Sequence, residues 1–358
     1  MKRRSLLKSI AGGCALAMPW PAKLARALAL PEGSARPLRA LAKESGKILA
    51  VFSGAHQLMT DQKATQLISS EFEMLAIGND LKMNRVHPEP DRYDFGPGDY
   101  DLAWSQKNGM LFRAHTLVWY NALPKWFDSY VNKSNAERVM TDHITTVVKH
   151  YAGKVYSWDV VNEPIHNDRP DQLRRKPWLD LIGPEYIDIA FRTAAAADPK
   201  AKLLINECYI EADSPGYNAR RDAYLQLITR LKKNGVPIHG VGIQGHINAG
   251  VPLAKEGMRT FLTALKDMNL EILITELDVN DSAIPAAKVD EAVAQTYFEF
   301  LELVGPFAKV ITFEALQDIP TLPKRSDGNV PRPNLWDTEY RKKPAYDTTL
   351  KALSELRN

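Results

Sequence analysis

Two glutamates close apolar runs in this chain. Glu163 ends Trp158-Asp159-Val160-Val161-Asn162-Glu163-Pro164, and Glu276 lies in Ile274-Thr275-Glu276-Leu277-Asp278. Two carboxyls facing each other across a sugar ring are the minimum equipment for breaking a glycosidic bond. One stays protonated and gives its proton to the leaving oxygen, while the other stays ionised and attacks the anomeric carbon. The neighbours divide the roles. Asn162 can hydrogen-bond the hydroxyl next to the anomeric carbon while Glu163 stays near a relatively apolar wall, which suits the acid. Glu276 has His246 and the polar groups around Gln244 and Asn206 to favour its charged form. Taken singly, either glutamate reads as a helix-start or surface carboxylate; the pair at two strand ends points to a site.

Such a pair needs a frame that brings strand ends together. From Lys47 onward, β-type apolar runs alternate with segments of helical period. The strand runs are Ile48–Phe52, Met74–Asn79, Met110–Thr116, Val155–Asn162, Lys202–Asn206, Gly240–Gly245, Ile272–Glu276 and Val310–Phe313. Between them lie helical segments such as Asn135–Tyr151, Pro184–Ala197, Tyr217–Asn234, Leu253–Met268 and Ala286–Val304, and Pro344–Leu356 closes the chain. Eight βα units in roughly 310 residues predict an α/β protein with a single (β/α)8 TIM barrel, whose chemistry collects at the C-terminal ends of the strands. A doubly wound sheet gives the same alternation, because alternation does not say whether the sheet closes. Polar residues stand at those ends: Asn79, His115, Asn162 with Glu163, Asn206 with Glu207, Gln244 with His246, and Glu276 with Asp278.

The two glutamate segments, together with His115-Thr116-Leu117-Val118-Trp119, Gly242-Ile243-Gln244-Gly245-His246, Asn79 with Lys82, and Lys343-Pro344-Ala345-Tyr346, resemble glycoside hydrolase family 10 in residue type and order. The resemblance covers almost the whole chain after its first thirty residues. It implies a retaining endo-1,4-β-xylanase on a (β/α)8 barrel, with no cofactor, Glu163 as acid/base and Glu276 as nucleophile. It further implies sugar binding by Asn79, Lys82, His115, Trp119 and Gln244, with Asn206 and Phe313 also in the sugar wall. His246 and Asp278 would support the nucleophile, and Asn162 the acid/base. The retaining reaction expects the two carboxyls about 5–5.5 Å apart.

Several positions depart from the family pattern. Gly78 stands where a glutamate usually grips a distal sugar, Asn206-Glu207-Cys208 where the family has Asn-Asp-Tyr, and Ala122 where it has glutamine. In Phe313-Glu314-Ala315-Leu316-Gln317-Asp318-Ile319-Pro320-Thr321-Leu322, Phe313 and Leu322 take the places expected for two platform tryptophans. Losing an indole face removes about 0.5–1.5 kcal/mol of ring contact, and losing the carboxylate removes a charge-assisted hydrogen bond of about 1.5–3 kcal/mol. The expectation is hydrolysis with weakened or redirected glycone recognition, toward shorter, decorated or non-xylose β-glycosides. Trp336 offers either a stacking face from another direction or ordinary packing.

Other chemistries fit less well. A carbohydrate-binding barrel without turnover would explain the altered wall, but not two intact glutamates. Gly240-Val241-Gly242-Ile243-Gln244-Gly245 matches G-x-G-x-x-G, yet it lies within a strand run and is followed by Asn248, Gly250 and Pro252 rather than a helix start, so a nucleotide site is not expected. His115, His246 and the glutamates lack the spacing of a metal motif, and no metal is expected. Cys208 has no visible base and reads as packing.

Composition completes the reading. The 358 residues carry 46 Lys+Arg against 43 Asp+Glu, and six of the basic residues (Lys2, Arg3, Arg4, Lys8, Lys23, Arg26) precede Leu30. The remainder therefore holds 40 basic against 43 acidic residues, which gives no support for nucleic-acid or acidic-membrane binding. Lys2-Arg3-Arg4-Ser5-Leu6-Leu7-Lys8, a short apolar stretch from Ser9 to Trp20 and Ala27-Leu28-Ala29 resemble a twin-arginine export signal cleaved after Ala29. Residues 1–29 would then be the signal and 30–358 the catalytic barrel, working in the periplasm or secreted, as a monomer on a β-linked polysaccharide or oligosaccharide. No later segment reaches the length of a membrane span. Cys14 precedes a completed apolar region and so reads poorly as a lipidation site; Cys208 alone would remain after cleavage, which suits a chain folded before export.

Overall fold

The computed structural model describes residues 36–166 and 168–356, so the export-type segment with Cys14 lies outside the described residues. Eight parallel strands form the frame: β1 (Ile48–Ser53), β2 (Met74–Ile77), β3 (Leu111–Val118), β4 (Ser157–Asn162), β5 (Lys202–Glu207), β6 (Gly240–Ile243), β8 (Glu271–Asn280) and β9 (Val310–Phe313). Neighbours pair in sequence order, and the circle closes where β6 pairs with β8 and β1 with β9. A closed ring has no sheet edge, which separates this barrel from a doubly wound sheet. The strands read as near-continuous apolar runs because helices cover one face and the lumen is filled on the other.

Helices form where an apolar stripe recurs at helical spacing. In Lys255–Asp267 the buried residues are Met258, Phe261, Leu262 and Leu265, one face that lies on the sheet. Asp61 caps Gln62–Glu71 by accepting the Ala64 amide. Ala286–Val304 divides into a 3-10 turn, Ala286–Lys288, and a helix, Val289–Val304. Helices Ala55–Thr60, Gln62–Glu71 and Gly96–Lys107 complete the first βα units; Gly96, Pro97 and Gly98 disguise the start of the last one, since Pro is tolerated only in the first turn.

Two deviations bear on the site. β2 stops at Ile77, leaving Asn79 in the turn beyond it. β8 runs four residues past Glu276, and that extension pairs with a short strand, β7 (His246–Asn248), in the register His246↔Asp278.

The lumen is not wholly apolar. Ala50, Met74, Leu204, Leu273 and Val310 form a small cluster from five strands. Elsewhere Arg113 and His115, two apart on β3 and so on one face, meet Asp159 of β4. Arg113 Nη2 donates to both Asp159 oxygens at 2.6 and 2.7 Å, and His115 Nδ1 lies 2.8 Å from Asp159 Oδ2. All three side chains are buried. Removing one partner of a buried ion pair strands the other, so Asp159→Ala should cost about 3–5 kcal/mol in denaturant unfolding. Replacing Arg113 by Met in the same chain should restore much of it; a loss below about 1 kcal/mol in the single variant would show the pair to be dispensable.

Candidate active site

Glu163 follows β4 with φ +51°, a left-handed conformation unusual for a side-chain-bearing residue. Two bonds hold it there: its amide donates to Asn206 O at 2.8 Å, and Arg174 Nε donates to Glu163 O at 3.0 Å. The carboxyl accepts from Gln244 Nε2 at 3.1 Å, and the Tyr120 phenol is hydrogen-bonded to it. Burial first, then the charge of Glu163, pushes the Tyr120 phenol up to about 12, so Tyr120 stays a neutral donor. Arg174 stacks on the Tyr120 ring, 3.7 Å from its centroid.

Glu276 has a different setting. Its amide donates to Gln244 O at 2.8 Å, and Asn206 Nδ2 donates to its Oε1 at 2.8 Å. His246 Nε2 lies 3.5 Å from Oε2, and His115 Nδ1 lies 4.0 Å from Oε1. Burial alone would raise this carboxyl, but the His246 hydrogen bond, the charges of His115 and His246, and the Asn206 amide together bring it down to about 2. On His246 burial pulls toward the neutral ring, and Asp278, 2.8 Å from Nδ1, with Glu276 on the other nitrogen, reverses that and raises it well above the usual histidine value. A cation thus sits between two carboxylates, placed by the β7–β8 pairing.

Amides bridge the two glutamates. Asn206 Nδ2 also donates to Asn162 Oδ1 at 2.8 Å, and Asn206 Oδ1 accepts from Thr275 Oγ1 at 2.7 Å. Gly242 permits this, because a Cβ there would come within 2.2 Å of Asn206 Oδ1. The glycine pattern therefore serves close packing within the barrel; Gly245, with φ +79°, turns the chain into β7 rather than into a helix. Glu207 lies beneath the loop after β4, where it accepts from Ile165 N, Cys208 N and Arg220 Nη1 at 2.9, 3.0 and 3.1 Å. Cys208 is buried, and burial followed by the charge of Glu207 raises its thiol, which leaves it packing. Among the described residues no three His, Cys, Asp or Glu are grouped to hold a metal, and no helix is long and apolar enough to cross a membrane.

On one side of the cleft Lys82 Nζ donates to Asn79 Oδ1 at 3.0 Å and lies 5.2 Å from the Trp119 ring, whose centroid is 6.3 Å from that of His115. The cleft thus gathers Asn79, Lys82, His115, Trp119, Asn162, Glu163, Asn206, Gln244, His246, Glu276 and Asp278. Phe313 is not among them, and its place in the sugar wall is corrected: it is 1% exposed, with its ring 5.9 Å from Phe72 and 6.1 Å from Tyr297 in the layer between barrel and helices. Trp336 is likewise core, packed on Phe72 and Tyr346. Leu322 is 38% exposed. Residues passed over in the sequence are Arg113, Asp159, Tyr120, Arg174 and Glu314. The first two carried a signal, being charges inside apolar runs; the others sit in loops and carried none.

Comparison with known proteins places this arrangement. The model of glycosyl hydrolase family 10 matches residues 37–352. The chain is 36% identical over 255 residues to a beta-1,4-xylanase of Dictyoglomus thermophilum, covering 69% of this chain and 70% of that protein. It is 32% identical over 318 residues to endo-1,4-beta-xylanase B of Thermotoga neapolitana, covering 87% and 89%. The crystal structure of xylanase 10B from Thermotoga petrophila RKU-1 in complex with xylobiose superposes with a TM-score of 0.83 at 31% identity, over 92% of this chain and all of that one.

His246 is the largest of the influences that hold Glu276 ionised. In a His246→Asn variant, carboxyl-carbon NMR of Glu276 should show its titration midpoint rising by at least about one pH unit, since each unit is only about 1.4 kcal/mol of lost interaction. An unchanged midpoint would remove His246 from that role.

Proposed function

The chain belongs to glycosyl hydrolase family 10 and is a xylanase-like glycosidase, and we propose that it cleaves β-1,4-linked xylan or xylo-oligosaccharides by double displacement. One observation carries this reading: the two cleft carboxyls sit in opposite surroundings. Glu276 faces the His246 cation and is held ionised, while Glu163 meets the neutral donors Gln244 and Tyr120. In this mechanism Glu276 attacks the anomeric carbon as Glu163 gives a proton to the departing glycosidic oxygen. The C–O bond to the aglycone breaks as the bond to Glu276 forms. Glu163, now ionised, then takes a proton from water, which displaces Glu276 and releases the sugar. Asn162, beside the acid and tied to Asn206, is placed to bind the hydroxyl next to the anomeric carbon. Asn206 also ties the nucleophile to Asn162, so that reacting groups share one hydrogen-bonded frame.

Glycone recognition in this reading is weaker than, or redirected from, plain xylose chains. Lys82, His115, Trp119 and Asn79 remain for the nearer sugar, but Gly78 brings no carboxylate to a more distant one, and the buried Phe313 brings no stacking face. Residues 30–358 would be the catalytic barrel, acting as a monomer, and residues 1–29 a twin-arginine-type signal that delivers it folded to the periplasm or beyond.

Paired variants test the two roles. Glu276→Ala should lower turnover of an aryl β-xylobioside by more than about 10⁴-fold, since no other group replaces the attacking carboxylate. Glu163→Ala should slow 2,4-dinitrophenyl glycosides far less than xylan in the first step, because dinitrophenolate leaves without a proton. Equal losses on both substrates would contradict the acid role, and an active Glu276→Ala enzyme would contradict the nucleophile role.

A further inference from the structure

Phe313 ends β9 and Glu314 is the residue after it; Phe313 is turned wholly into the layer between barrel and helices, against Phe72 and Tyr297. Alternation along a strand sends the next side chain to the opposite face, which here is the barrel mouth. The Glu314 amide donates to Leu277 O at 3.1 Å, which fixes it one residue from Glu276 across the β8–β9 pairing. The groups that act on its carboxyl come from three elements: Glu276 and Asp278 of β8, His246 of β7, and Lys82 of the turn beyond β2. The chain thus places a third carboxyl beside the attacking one, in a wall where a stacking ring is otherwise expected.

We propose that Glu314 is a sugar-positioning residue, which holds an oxygen of the reacting sugar by hydrogen bonding where stacking on an aromatic ring would otherwise hold it. This rests on the reading of Glu276 as nucleophile, because that reading puts the reacting sugar against Glu276 and so within reach of its neighbour. The protonation state suits the role. Burial first, and then the negative charge of Glu276, pushes the Glu314 carboxyl up to about 8, with His246 and Lys82 opposing and Asp278 reinforcing. Below that value the group is a neutral carboxylic acid that can donate as well as accept. Above it the donor is gone, and a second negative charge faces Glu276. Glycone binding should therefore weaken as pH rises through about 8.

The test uses the whole enzyme and 2,4-dinitrophenyl β-xylobioside, whose leaving group needs no proton, so that kcat/KM does not report the proton on Glu163. Wild type should lose kcat/KM above pH 8. Glu314→Gln, which keeps a donor and an acceptor but cannot ionise, should stay within about threefold of wild type at pH 6 and lose that alkaline fall. Glu314→Leu should lose about tenfold or more in kcat/KM at pH 6, carried by KM. Two results overturn the proposal: Glu314→Leu within twofold of wild type at pH 6, or Glu314→Gln retaining the wild-type alkaline fall. A wild type that releases no dinitrophenolate defeats the nucleophile reading and this proposal together, whereas an active wild type with insensitive variants defeats this proposal alone.

Discussion

A buried negative charge must be met by donors and cations, and that requirement organises this barrel from its lumen to its mouth. Two carboxylates demand it. Asp159 is answered by the Arg113 guanidinium and by His115, and the same imidazole faces Glu276 from 4.0 Å. Glu276 is answered in addition by His246 and Asn206. Left alone in a medium of low polarity, the Glu276 carboxyl would take up a proton, because burial by itself raises it. The site is thus a continuation of the lumen packing: the side chains that make the barrel interior tolerable also set the charge on Glu276.

This dependence explains local features that look unrelated. Gly242 has no side chain because Asn206 needs the space. β8 is long because its extension carries Asp278 opposite His246. Glu163 adopts a left-handed backbone because Asn206 O and Arg174 clasp its peptide groups, and this directs its carboxyl toward Gln244 and Tyr120. Preorganised donors of this kind need no rearrangement as charge develops, which is the larger part of what a glycosidase scaffold contributes.

The barrel was legible because strands buried on both faces must be apolar throughout; Val310–Phe313 is read to the residue, and the βα alternation survives long loops. The glutamate pair was legible because each stands where an apolar run gives way to polar residues at the strand end, while Arg113 and Asp159, charges inside such runs, were passed over. β7 was not, since three residues carry no periodicity and form a strand only by pairing with the β8 extension. Nor was the face taken by Phe313. A shift of one residue along a strand exchanges its two faces, and sequence could not tell whether the aromatic ring or the adjacent carboxyl entered the cleft. Helix Gly96–Lys107 was hidden by a glycine and proline start whose cost is offset by tertiary packing of Leu102 and its neighbours.

Whether Glu276 attacks carbon or activates water is reported directly by the configuration of the first product. Proton NMR of xylo-oligosaccharide hydrolysis, recorded before mutarotation, should show the β-anomer appearing first and the α-anomer growing in later. An α-anomer as the initial product would mean single displacement, and would contradict the roles given to Glu276 and Glu163.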